Sequence, residues 1–167
     1  SSSGSLSANK AIIIDTTAPT VSYISPTDNQ TGVSLSDNIS VTFSESMDTT
    51  SITTNTSNTT CSGSFQLSSN NFDSCIQMSS SPSASNSNKT FTFVPSDNVT
   101  YSTTYKIRVT TGVEDIFGHT MSSQYQTTNG FVVCSDPDNI TFVAVGGEKS
   151  GSRGNVGFLS TSGSDAV

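Results

Sequence analysis

The chain has 167 residues, of which 31% are hydrophobic and 11% charged, with 13 Asp and Glu against 6 Lys and Arg and a formal net charge of -7. Globular proteins usually carry about 25% charged residues, so Ser, Thr and Asn fill the difference, and the scattered basic residues offer no footprint for a phosphate backbone. Nucleic acid is therefore excluded as an expected partner, and with no apolar window approaching about 18 residues, so is a membrane span. The amino terminus lacks the basic and apolar regions of a signal peptide, and Ser1 is expected to begin a fragment of a longer precursor. Low hydrophobicity alone would suit disorder, but disorder goes with high charge and few β-branched or aromatic residues. Here Thr, Val, Ile, Phe and Tyr recur in short runs, with Ser, Asn, Asp and Gly as turn formers between them.

In chain order, a polar stretch leads to Ala11-Ile12-Ile13-Ile14, an apolar run that needs burial. Residues 1–15 are expected to be the last strand of a preceding module or a terminal arm; donation of this strand to the sheet edge of another copy is the alternative. Residues 16–19, Thr16-Thr17-Ala18-Pro19, read as an extended linker, because proline disfavours helix in the residue before it.

From Thr20 short strands alternate with turn signals, the pattern of an all-β sandwich. Val21 to Ser25 reads as a strand ending at Pro26, and Asp28 to Gly32 as a turn. Ile39, Val41 and Phe43 alternate with Ser40 and Thr42, which turns one face inward. Phe65 with Leu67, and Cys75 or Ile76 through Met78, follow the same rule. Met47 to Ile52 allows one helical turn and no more. Asn86-Ser87-Asn88 reads as a turn before Thr90 to Val94, and Thr104 to Thr111 is the clearest strand, with Tyr105, Ile107 and Val109 inward. Phe131 to Val133 closes the set. Roughly seven strands in about 115 residues match an immunoglobulin-like β-sandwich. After Val133 the composition shifts, and residues 134–167 are expected to begin a following module or to form a flexible tail.

Cys61 and Cys75 stand 14 positions apart with no His or further Cys at zinc-ligand spacing, so a disulfide fits better than two free thiols. A loop of that size stabilises by about 3 kcal/mol in the chain-entropy model. Cys134 is left over, free or paired with another module.

Several ordered segments together resemble a known family. Asp15-Thr-Thr-Ala-Pro-Thr-Val, Ile24-Ser-Pro-Thr-Asp-Asn-Gln-Thr-Gly-Val, Ile39-Ser-Val-Thr-Phe-Ser-Glu-Ser-Met-Asp, Phe91-Thr-Phe-Val-Pro, Tyr101-Ser-Thr-Thr-Tyr-Lys-Ile-Arg-Val and Gly112-Val-Glu-Asp-Ile-Phe-Gly-His are similar to the bacterial Ig-like domain of S-layer proteins and surface adhesins. The resemblance covers roughly residues 18–133, with the Ig-like domain itself at 20–133, and implies a β-sandwich with a structural, spacer or adhesive role outside the cell. Its implied partners are neighbouring Ig-like modules and a host or matrix protein or glycan. The alternatives are a non-catalytic accessory domain of a secreted enzyme and a filament or surface-layer subunit assembled by strand exchange. The family loop usually reads Asp-x-x-Gly-Asn, whereas here His119 follows Gly118.

No catalytic set emerges from the residues. His119 is the single histidine, Trp is absent, and Glu45 with Asp48 form one close acidic pair better read as cap and turn residues than as glycosidase carboxylates. No cofactor is expected except calcium, which binds six to eight oxygens. By analogy with acidic linkers in related adhesin repeats, its candidate ligands are Asp15, Asp28, Glu114 and Asp115. The competing reading makes Asp28 the start of an Asx turn and Asp115 a cap of its own loop.

Overall fold

The computed structural model describes residues 14–96 and 99–136; the apolar run Ala11 to Ile13 and the segment after Asp136 lie outside the described residues. Eight strands form in the order β1 (Val21–Ser25), β2 (Ile39–Phe43), β3 (Phe65–Ser68), β4 (Ser83–Ser85), β5 (Thr90–Phe93), β6 (Thr104–Val109), β7 (Tyr125–Gln126) and β8 (Phe131–Val132). One antiparallel sheet runs β1-β2-β5-β4, the other β3-β6-β7, and β8 pairs with β6 further along the edge that β7 occupies. This is the expected all-β sandwich, with no helix among the described residues that is long and apolar enough to cross a membrane.

The core is the set of alternating residues that the strand period turns to one side. Ile24, Ile39, Val41, Phe43, Phe91 and Phe93 come from the first sheet; Phe65, Leu67, Tyr105, Ile107, Val109 and Phe131 come from the second, and all are buried. Across the gap Phe65 stacks on Phe93 with ring centroids 3.7 Å apart and planes 12° from parallel. Met47, Ile52, Met78, Val113 and Met121 fill the sandwich ends from the loops. Tyr105 buries its whole ring, and its hydroxyl accepts the Thr100 N–H at 3.0 Å, so the polar tip is not stranded.

Three departures from the sequence expectation have physical causes. Cys75 to Met78 is no strand: Ile76 N–H donates to Leu67 of the second sheet, whereas Ser79 N–H donates to Val94 at the margin of the first. A segment that changes sheets over three residues cannot hold a ladder, and only the isolated Met78–Pro95 bridge remains. β4 (Ser-Ala-Ser) and β7 (Tyr-Gln) are strands because β5 and β6 offer them free edges, not because their side chains alternate. Met47 to Ile52 forms a turn, Ser51 N–H donating to Asp48 C=O at 3.1 Å, with the Asp48 carboxylate accepting from Thr50 N–H at 2.9 Å.

The disulfide between Cys61 and Cys75 is present, with Cα atoms 4.9 Å apart. Its loop lies against β3, which explains why all four β3 residues are buried although Gln66 and Ser68 face away from the core. Gln66 Nε2 donates to the carbonyls of Cys61 and Gly63, and Ser68 Oγ donates to Ser74 C=O at 2.7 Å. Cys134 is free and half-buried against the core.

Asp28 binds a loop 100 residues away. Its carboxylate accepts the N–H groups of Thr128, Asn129 and Gly130 and so shapes the turn that delivers β8. Gly130 completes that turn at φ 84°, where an added methyl would fall on the Tyr105 carbonyl oxygen.

Two outcomes follow for stability. Gly130→Ala is expected to cost at least about 2 kcal/mol, from left-handed strain plus the backbone clash, read as a lower midpoint in urea; an unchanged midpoint would show that the turn rearranges freely. Reducing Cys61–Cys75 is expected to cost about 3 kcal/mol without loss of the fold, checked by unfolding with and without reductant.

Candidate functional site

The loop after β6 is built around one carboxylate. Asp115 Oδ1 accepts the N–H groups of Phe117 at 2.7 Å and His119 at 2.9 Å, and Oδ2 accepts the His119 ring Nδ1–H at 2.8 Å. Asp115 N–H closes the loop on His119 C=O, and Gly118 supplies the left-handed residue at φ 90°. The loop is then pinned to the chain after β2: Ile116 N–H donates to Ser46 C=O, and Asp48 N–H to Glu114 C=O. Asp115 thus caps its own loop, as the turn reading expects, and His119 fills the family's Asn position by donating from both its backbone and its ring.

Two further carboxylates approach. Asp15 precedes β1 and Glu45 follows β2, which is paired with β1, so both reach the sandwich end where Asp115 follows β6; oxygens of the three lie within 4.8 Å of one another. Of the four calcium candidates the structure brings Asp15 and Asp115 together. Asp28 is committed to the 128–130 turn, and Glu114, although next to Asp115, is not in the group. Glu45 was missed as a ligand candidate because sequence spacing relates none of positions 15, 45 and 115; the available signal was that all three sit at strand ends on one side of the sandwich.

The charges are unequal in kind. Burial alone pushes the Asp115 carboxyl up, but the backbone and ring hydrogen bonds of His119 and the Phe117 amide outweigh it and hold Asp115 below its ordinary 3.8. The hydrogen bond to Asp115 lifts His119 above its ordinary 6.5, against desolvation and with help from the charges of Asp115, Asp15 and Glu45. Thr17 N–H, donating to Oδ1 at 2.9 Å, lowers Asp15. Glu45 is raised above 4.5, first by burial and then by the charges of Asp15 and Asp115.

As a donor set, three carboxylates fit a hard cation such as calcium better than zinc. Asp115 has given both oxygens to N–H donors and has little capacity left, so Asp15 and Glu45, both half-buried, would hold such an ion from the solvent side. The neighbouring depression, lined by Met47, Asp48, Thr49, Asn88 and residues 114–118, is open and polar. Among the described residues no hydroxyl hydrogen-bonds to the His119 ring.

Two facing antiparallel sheets with a filled interior define an immunoglobulin-like β-sandwich. The chain belongs to the bacterial Ig-like domain family, whose model matches residues 15–133. Among solved structures it is similar to the surface layer protein SbsC, domains 1–6, at 18% identity and TM-score 0.49, over 71% of this chain and 14% of that one. It is also similar to the N-terminal part of the same S-layer protein, at 17% identity and TM-score 0.49, over 71% of this chain and 24% of that one. The chain therefore spans less than a quarter of the solved chains it matches. No curated protein matches it.

The Asp115–His119 pair carries a defined pH dependence. A lowered Asp115 contributes stability above its unfolded pKa that is lost as pH falls through the folded value, below 3.8. A raised His119 contributes stability that is complete below 6.5 and lost as pH rises through its folded value. Measured in chelator, wild type is expected to lose stability relative to His119→Gln as pH rises from about 6.5 through the raised folded value of His119; parallel curves would contradict the pairing. Asp115→Ala is expected to cost about 2–3 kcal/mol at neutral pH, because buried amides lose a charged acceptor.

Proposed function

We propose that this module is a non-catalytic spacer or partner-binding domain of a multidomain bacterial cell-surface or secreted protein. One observation carries the reading: the chain comes in and leaves at opposite ends of the sandwich. Asp15 lies beside Asp115, beyond the Val109 end of β6, whereas Val133 N–H donates to Thr103 C=O and Cys134 C=O accepts from Ser102 N–H, before the Thr104 end of β6. Modules connected through such ends add their lengths in series. Membership of the bacterial Ig-like family supports the role, and the Cys61–Cys75 disulfide supports an oxidising, extracellular location.

The site features favour structure over chemistry. His119 is consumed by Asp115, Asp48 caps its own turn, and the polar depression at that end is open. A hard cation such as calcium suits the arrangement. Bound by Asp15 and Glu45 with Asp115 behind them, it would relieve carboxylate repulsion and stiffen the linker where it meets the sandwich.

Small-angle scattering of a two-module tandem tests the spacer reading. The maximum dimension is expected to grow by about one module length over the single module; a compact side-by-side pair would sink it. For calcium, thermal melting in millimolar calcium is expected to give a higher midpoint than in chelator, and the increment is expected to vanish in Glu45→Gln. Identical midpoints would remove the ion.

A further inference from the structure

The outward face of β6 carries Lys106 and Arg108, two of the three basic residues among the described residues, the third being Lys89. Arg108 is held on two sides. Its Nε–H donates to Gln66 Oε1 at 2.8 Å, and Gln66, opposite it in the β3–β6 register, is itself fixed by Nε2–H donation to Cys61 C=O and Gly63 C=O, both at 3.2 Å. The guanidinium lies 3.8 Å over the ring of Phe72. Phe72 belongs to the disulfide-closed loop, takes the left-handed backbone at φ 68°, and is tied to β3 by N–H donation to Ser68 Oγ at 2.9 Å. The disulfide-closed loop therefore sets the platform under this arginine.

Nothing among the described residues uses the rest of the guanidinium. The single ion pair there is His119 with Asp115, and no hydrogen bond engages the two terminal NH2 groups of Arg108. Burial draws the Arg108 pKa down from its ordinary value, yet a guanidinium stays charged at any physiological pH. A guanidinium already ordered by stacking and by its Nε–H has lost its side-chain freedom before a ligand arrives, and its free fork matches a carboxylate. Lys106 stands two residues along the same face, about 7 Å away at strand spacing. Exposed Gln126 opposes Arg108 from β7 and adds a neutral hydrogen-bonding group.

We propose that Arg108, Lys106 and Phe72 form a binding site for a carboxylate-bearing polysaccharide on the outward face of the β3-β6-β7 sheet. A protein partner fits less well, because interface cores rest on apolar and aromatic anchors. The exposed large hydrophobic residues Ile14, Tyr23, Val94, Tyr101, Ile116 and Phe117 all lie off these three strands. What the face offers is two cations among Gln and Thr side chains, the chemistry of a hydrated acidic sugar chain. The inference goes beyond the spacer reading and does not rest on it.

Calorimetric titration tests it with polygalacturonate, its methyl ester and poly-L-glutamate as probes. Wild type is expected to bind polygalacturonate, more weakly at higher salt, and to ignore the ester. Arg108→Gln is expected to weaken binding about tenfold or more, and Arg108→Lys, which keeps the charge and loses the fork, by less. No binding by wild type, or equal binding by wild type and Arg108→Gln, would overturn the site. Binding of poly-L-glutamate with the same Arg108 dependence would overturn the polysaccharide assignment in favour of an acidic peptide. Melting curves check that Arg108→Gln is folded; if it is not, Arg108→Lys and Lys106→Gln decide, and full affinity in both overturns the proposal.

Discussion

The contact of Phe65 on Phe93 is where the two sheets become one object. Each ring is buried to about 1% exposure, and they come from strands that share no hydrogen bond, β3 paired with β6 and β5 with β2 and β4. Hydrogen bonds hold each sheet together and tie loops across the sandwich ends, but between the facing strands the contact is side-chain packing, which is hydrophobic burial plus dispersion. Everything at the ends of the sandwich inherits its position from this layer. Asp115 meets Asp15 and Glu45 because β6, β1 and β2 are kept face to face, and Asp28 reaches residues 128–130 for the same reason.

Among the described residues, a sequence this poor in apolar side chains reaches a filled core by turning most of its large ones inward and letting Ser, Thr and Asn do the rest. Buried polar groups are costly unless hydrogen-bonded. Ser64 Oγ donates to Ser51 C=O, and Thr127 Oγ1 accepts from Ile107 N–H. Gln66 spans a loop carbonyl and Arg108. Short polar side chains thus close the backbone's accounts where β3, β6 and β7 run out of strand partners.

The alternation of Ile39, Val41 and Phe43, and of Tyr105, Ile107 and Val109, was readable because a strand with one buried face must repeat every two residues. β4 was not, since Ser83, Ala84 and Ser85 are all exposed and become a strand only through the edge of β5. The disulfide was legible in the spacing of Cys61 and Cys75; that its loop would set Phe72 under Arg108 was not, because the contact depends on left-handed residues at 71 and 72. At the candidate site, Asp15 and Asp115 were named by analogy with the acidic linkers of related adhesin repeats. Glu45 was not, and Asp28 belongs to the fold instead, because long-range partners leave no mark in local sequence. The functional role is read from family and geometry together, and the residues alone carried no chemistry that would replace it.

Native-state hydrogen exchange on the folded chain tests whether the aromatic layer makes the two sheets a single cooperative unit. The amides of Val41 and Phe91 in one sheet, and of Leu67 and Ile107 in the other, are predicted to exchange through the same global opening and to share one free energy. The amides of β4 are predicted to exchange through smaller, local openings. Distinct free energies for the two sheets, or a second sheet that opens while the first stays protected, would contradict it.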